Sequence, residues 1–144
     1  MITTTTYGTW LPGDLRGYVD DGKILPGDPE VWDRAQTRMR GEPVLLSETE
    51  QLAALDALIE AGNEFGYELH AVSIESWHAH VLVSHGSDKV ATVAGRLKTR
   101  MRQAVDRGRV WTTGYDRRYC FTEADVAARS NYIQRHNGYR PIPR

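Results

Sequence analysis

Apolar and polar positions recur at strand or helix spacing over most of the chain. Ile2 to Trp10 is a run of Thr, Tyr and Trp, residues that favour strands, and Leu11-Pro12-Gly13-Asp14 closes it with turn formers. Leu11 to Leu46 shows no sustained period. It carries a Pro-Gly-Asp turn signal at Pro12 and again at Pro26, and Asp28-Pro29 reads as an N-cap and first-turn proline opening a short helix to about Arg40. Ser47 and Glu50 form a capping box, after which Leu52, Leu55, Leu58, Ile59 and Phe65 follow at helical spacing until Gly66. Tyr67 to Glu75 and Trp77 to Ser84 alternate as two strands joined near Ser76. The first sets Leu69, Ala71 and Ser73 against His70, Val72 and Ile74; the second sets Trp77, Ala79, Val81 and Val83 against His78, His80, Leu82 and Ser84. Asp88 to Arg107 is a helix whose apolar stripe is Val90, Val93, Ala94, Leu97, Met101 and Val105. Val110 to Phe121 predicts a strand or short hairpin turning at Gly114. Thr122 with Asp125 opens a last helix, ending near Gly138 before Pro141 and Pro143.

The order strand, helix, strand, strand, helix, strand, helix predicts an α+β fold: a ferredoxin-like antiparallel sheet with helices packed on one face and a final helix at the C-terminus. A length of 144 residues is expected to make one domain, 1–144, with an irregular insertion at about 11–46. One cysteine, Cys120, excludes a disulfide framework within a monomer. No stretch is long and apolar enough for a membrane span, and Met1 to Tyr7 lacks a basic start followed by an apolar run. A cytoplasmic protein without a membrane partner is the expectation.

The formal charge of −1 hides a segregation that matters more. Between Arg40 and Lys89 the chain has no Lys or Arg, but carries Glu42, Glu48, Glu50, Asp56, Glu60, Glu64, Glu68, Glu75 and Asp88. From Lys89 onward Lys89, Arg96, Lys98, Arg100, Arg102, Arg107, Arg109, Arg117, Arg118, Arg129, Arg135, Arg140 and Arg144 face only Asp106, Asp116, Glu123 and Asp125. A folded body with one positive face fits a nucleic-acid backbone; a solvated basic helix face is the other reading.

Three groups of residues carry candidate chemistry. His78 and His80 stand two apart in a strand, so both imidazoles project from one face as a ready pair of metal ligands, unless they are ordinary sheet residues. Tyr132 and His136 stand four apart in the last helix and share one side; the alternative is a packed tyrosine and a histidine favoured near a helix C-terminus. A third histidine packed over the sheet would complete a three-ligand site with open positions. Arg96, Lys98, Arg100 and Arg102, followed by Arg109, Trp111, Arg117 and Arg118, interleave cations with aromatics as a single-stranded nucleic acid requires. Trp111 and Tyr119 are also natural core residues of a strand.

Together these residues resemble the HUH single-strand transposases, and among them the REP-associated tyrosine transposases and their insertion-sequence relatives. The resemblance rests on His78-Ala79-His80 between Ser76-Trp77 and Val81-Leu82-Val83, with a tyrosine in a C-terminal helix and a ligand four residues after it. Thr6-Tyr7-Gly8-Thr9-Trp10-Leu11-Pro12-Gly13, Gly95-Arg96-Leu97-Lys98-Thr99 and Trp111-Thr112-Thr113-Gly114 resemble further segments of such proteins in the same order. The resemblance implies a ferredoxin-like sheet and metal-dependent cleavage and joining of single-stranded DNA at hairpin-bearing sequences. It implies Tyr132 as nucleophile, a 5′-phosphotyrosine intermediate, and His78, His80 and His136 as ligands of a divalent metal, Mg²⁺ or Mn²⁺. It implies single-stranded or hairpin DNA as partner and a monomer or homodimer. One position departs from the family pattern: His136 stands where an amide side chain is usual, and the nearby amide, Asn137, is one residue further on. Three imidazoles favour Mn²⁺ or Zn²⁺ over the oxygen-preferring Mg²⁺. Lys98 is expected to stabilise charge developing in the reaction. Two rivals stand beside this reading: a three-histidine metal phosphodiesterase that uses water, and a domesticated, non-catalytic module that binds hairpin DNA.

Overall fold

A computed structural model describes residues 1–143; Arg144, the last of the basic residues, lies outside them. The main sheet has four antiparallel strands, β1 (Ile2–Thr5), β4 (Glu68–Ile74), β5 (His78–Ser84) and β6 (Asp116–Arg117), in the order β4-β5-β1-β6. Helix α2 (Glu48–Phe65) connects β1 to β4, and α3 (Val90–Val105) connects β5 to β6. Because β5 inserts between β1 and β4, the connection is a split βαβ, and the sheet order is that of a ferredoxin-like fold. The fold class read from the sequence is the one observed.

Local signals set the element ends. Ser47 accepts from the Glu50 amide while Glu50 accepts from the Ser47 amide, and Gly66 stops α2 in the left-handed conformation at φ 71°. The same reciprocal cap joins Thr122 and Asp125 at the start of α4 (Glu123–Gln134). Asp28 caps α1 (Pro29–Thr37), which is shorter than the expected reach to Arg40.

Period-two alternation splits the strands into two faces with different duties. Ile2, Val72, Ile74, Ala79 and Val81 point to α2 and α3, where Leu55, Leu58, Val93, Leu97 and Met101 complete the main core. Thr3, Thr5, Ala71, Ser73, His78, His80 and Leu82 point the other way. Helix α4 covers part of that second face, with Ile133 fully buried against Ala71 and Leu82. The expectation that all helices lie on one face is therefore corrected. The reason is that α4 has one buried apolar residue rather than a stripe, and it seats that residue on a small apolar patch of its own.

Three further differences have local causes. A bulge between Leu69 and Ala71 breaks the alternation of β4, so Leu69 joins the main core rather than sharing the side of Ala71. The irregular segment contains a hairpin, β2 (Tyr18–Asp20) with β3 (Lys23–Leu25), which forms its own two-stranded sheet. The expected strand over Val110 to Phe121 shrinks to a Thr6–Trp111 bridge and the two residues of β6. The segregated charges also meet one another: Arg96 pairs with Asp88, Arg100 with Glu64 and Arg107 with Glu50. The basic helix α3 thus uses much of its charge against the acidic segment, each exposed pair contributing no more than about 1 kcal/mol.

Candidate metal and tyrosine site

The second face of the sheet carries the candidate chemistry. His78 and His80 project from β5 with ring centroids 4.8 Å apart. His136 reaches them from the turn after α4, with centroids 5.6 Å from His78 and 4.5 Å from His80. Tyr132, on the last turn of α4, lies 4.7 Å from His136 and 5.5 Å from His80 between centroids. The four side chains line one cleft of about 340 Å³ with Thr3, Thr5, Trp10, Glu75 and Trp77. Tyr132 is 46% exposed, so its phenol is open to a large substrate.

His136 is not in the helix, as its spacing from Tyr132 had implied. The helix ends at Arg135, and the chain turns so that His136 Nδ1 lies 3.0 Å from the Tyr132 carbonyl. A carbonyl only accepts, so Nδ1 carries a proton and Nε2 is the nitrogen left to ligate. Residues Gly138 to Arg140 then lie along β4: Ile74 N donates to Gly138 O at 3.0 Å, and Tyr139 bridges to Ser73. This seam fixes where His136 sits. Asn137, the nearby amide, is exposed and outside the group.

The surroundings keep the strand imidazoles neutral. Burial pushes the His80 pKa down to about 3, assisted by the neighbouring His78 and His136. Burial also lowers His78, with Glu75 opposing and His136 and Arg16 reinforcing. Thr3 Oγ1 lies 2.8 Å from His80 Nδ1 and orients that ring.

A divalent metal, the cofactor implied by the resemblance, fits these residues. One nitrogen from each of His78, His80 and His136 lies within 4.8 Å of the other two. Tetrahedral ligand nitrogens each about 2.1 Å from one ion lie about 3.4 Å apart, so a pair at the 4.8 Å limit draws in by about 1.4 Å as the rings turn toward the ion. His78 Nδ1 is buried without a hydrogen-bond partner, its closest carboxylate oxygen being Glu75 Oε2 at 3.8 Å. A buried ring nitrogen without a partner, beside two further imidazoles, is the chemistry of a cation site.

The expected DNA-binding residues disperse over other surfaces. Lys98 does not line the cleft: its ammonium, its pKa lowered by burial, donates to Thr112 O at 2.7 Å and Gly114 O at 2.6 Å. It straps the loop before β6 to α3, on a surface apart from the histidine cleft. Arg96 donates to Tyr67 and Asp88, and Arg100 to Glu64, over the Phe65 ring. Arg102 and Arg109 are exposed and line a cavity with Lys98 and Thr113. Trp111 is buried in the main core, the packing alternative for that residue. Arg117 and Arg118 are exposed at the β6 edge, Arg117 over Tyr119 and Arg118 paired with Asp116. Thr3 and Thr5 were missed as cleft residues, although strand pairing sets them beside His80 and His78. The period-two spacing of polar residues in β1 was the available signal.

Among the described residues no helix is long and apolar enough to cross a membrane. No family model matches the chain, and no curated protein matches it. A solved structure of a REP-associated tyrosine transposase bound to a REP hairpin superposes with a TM-score of 0.57 at 14% identity, covering 92% of this chain. The chain spans 61% of that protein's length. At this identity the likeness is one of fold: the ferredoxin-like sheet with its added C-terminal helix is the architecture of that transposase.

Proposed function

We propose that this chain cleaves and rejoins single-stranded DNA at hairpin-bearing sequences, with Tyr132 as nucleophile and His78, His80 and His136 as ligands of a divalent metal. The observation that carries the reading is the shared cleft: an exposed tyrosine directly beside three histidines that have no structural duty together. The hairpin-bound transposase of the same fold supports the choice of DNA substrate.

The chain's own residues divide the work. Tyr132 Oη attacks phosphorus, the bond from phosphorus to the 3′ oxygen breaks, and in net terms the phenol proton ends on that oxygen as a 3′-hydroxyl. The 5′-phosphotyrosine conserves one phosphoester bond for the one lost, so a second 3′-hydroxyl reseals DNA by reversing the step. Helix α4, anchored by Ile133 and its N-terminal capping box, holds the phenol at the cleft mouth. Thr3 orients His80, and the Tyr132 carbonyl orients His136. When bound, a divalent ion would supply Lewis acidity toward a phosphate oxygen, the charge compensation that Lys98 is not placed to give.

The test is incubation with labelled hairpin oligonucleotides from the DNA flanking the chain's own gene, with Mn²⁺, Mg²⁺ or Zn²⁺, followed by a denaturing gel. A covalent protein–DNA adduct that disappears in Tyr132→Phe supports the reading. Cleavage that survives Tyr132→Phe without an adduct would replace it with a water-using phosphodiesterase. Binding with neither leaves a hairpin-binding module.

A further inference from the structure

The end of the first strand-favouring run, Ile2 to Trp10, delivers an aromatic ring to the cleft. Trp10 lines the histidine cleft and also a second cavity with Arg16, Gly17, Tyr18 and the 112–116 loop. Thr3, Thr5 and Trp10 border both cavities, so the two adjoin across β1, one containing Tyr132 and the other reaching the β2–β3 hairpin, with the ring on their shared wall.

Its position is built rather than incidental. The indole N–H donates to Gly17 O at 2.7 Å, and Trp77 packs against the ring with centroids 5.5 Å apart. The Arg16 guanidinium lies 3.9 Å over the Trp10 ring. Arg16 is itself tied down, its Nε donating to Asp14 Oδ1 at 2.8 Å, and one terminal nitrogen to Asp14 Oδ2 at 2.7 Å and Thr9 O at 2.9 Å. Asp14 is buried, and the turn that carries it passes so close to the α1 backbone that Gly13, at φ 84°, has no room for a side chain. The Pro-Gly-Asp turn therefore holds an ion pair whose guanidinium lies on an aromatic ring.

We infer that Trp10, braced by Arg16, is a stacking platform for an unpaired nucleobase next to the phosphodiester that Tyr132 attacks; this rests on the function proposed above. Trp10 is half-buried and borders both cavities, so part of its indole is left to a ligand. Asp14 neutralises Arg16, so the assembly offers a flat polarised surface more than a net charge, which selects a base over a phosphate. Only an unpaired nucleotide has a face to offer, since bases within a duplex are already stacked. A ring immobilised in advance also loses little freedom on binding.

The experiment places single abasic residues along the unpaired flank of a hairpin oligonucleotide and measures affinity by fluorescence anisotropy. All proteins carry Tyr132→Phe, so cleavage does not intervene. One abasic position should weaken binding about tenfold to a hundredfold, the range for loss of one base stacked on an aromatic ring. Trp10→Ala should weaken the intact oligonucleotide by a similar factor and no longer sense that position, while Trp10→Phe retains most of the affinity and the sensitivity. The salt dependence should not change between Trp10 and Ala, because no phosphate contact is lost. A Trp10→Ala protein that responds to every abasic position as Trp10 does would overturn the platform, as would a protein indifferent to all of them. Covalent adduct formation with Tyr132 present is scored separately. Its absence alongside intact abasic coupling removes the nucleophile and leaves the platform.

Discussion

Replacing Gly138 by alanine tests whether the seam between the post-helix turn and β4 is what sets His136. The added methyl would lie 2.6 Å from the Ile74 carbonyl carbon and 2.6 Å from Glu75 Cγ, and closer still to the Ile74 oxygen. Carbon atoms in ordinary contact sit about 3.5 Å apart or more, so the turn must retreat by about 1 Å. The Glu75 side chain can swing away, but Ile74 is a strand residue bonded through its amide to Gly138 O, and cannot. The retreat loosens that bond and the Ser73–Tyr139 bridge, and it carries His136 away from His78 and His80. A displacement near 1 Å at a reacting constellation costs about a hundredfold in rate. The strain on stability is about 1–3 kcal/mol, the usual range for overpacking. Calorimetric titration with Zn²⁺ or Mn²⁺, adduct assays and urea denaturation read the three effects separately. Metal affinity should fall at least about tenfold and adduct formation about a hundredfold, while the main core still unfolds cooperatively. Gly95→Ala is the companion: an alanine there meets nothing within 4 Å, and in mid-helix it should add up to about 1 kcal/mol of stability. Metal affinity unchanged in Gly138→Ala would refute the reasoning.

Other expectations follow from the same structure. The His80 pKa is lowered from 6.5 to about 3 in the folded chain, so its contribution to stability is complete above 6.5 and is lost as pH falls. The unfolded chain takes up that proton first, and metal-free protein should lose about 1.4 kcal/mol per pH unit below 6.5, with His78 adding in the same direction. Urea midpoints that stay flat between pH 6.5 and 5, a range above most carboxylate titrations, would contradict this. Ile133→Ala should cost about 2–4 kcal/mol and release the amide protection of α4 before that of α2 and α3, as read by hydrogen exchange. Lys98→Met leaves two loop carbonyls without their donor and should cost about 1–3 kcal/mol in thermal or urea denaturation, with adduct formation per folded molecule little changed. A selective loss of rate would return Lys98 to the chemistry.

The parts legible in the sequence were those governed by near neighbours. The two capping boxes are patterns of four residues, and both formed as read. His78 and His80 were paired by strand alternation alone, and the Tyr132–His136 spacing found two residues of one cleft even though the helix ends between them. What was not legible depends on partners remote in the chain. Three-residue strands such as β2 and β3 are too short to show alternation. The seat of α4 rests on one isoleucine and two small patch residues from β4 and β5. Lys98 bonds backbone carbonyls, which any residue type would present. Trp10 is held at the cleft by Arg16, Gly17 and Trp77, partners that no local pattern announces.

The division of the sheet into two faces has a thermodynamic consequence. The proposed ligands come from β5, a central strand, and from the turn after α4, which is joined to the second face chiefly by Ile133 and the Gly138 seam. Metal loading and docking of the tyrosine helix are then linked equilibria. An ion present at 100 times its dissociation constant would hold the C-terminal segment down by about 2.7 kcal/mol. By the same reciprocity, whatever detaches that segment weakens the ion. Depriving the protein of metal would therefore do more than remove a Lewis acid: it would let Tyr132, the proposed nucleophile, drift from its station while the main core stayed folded.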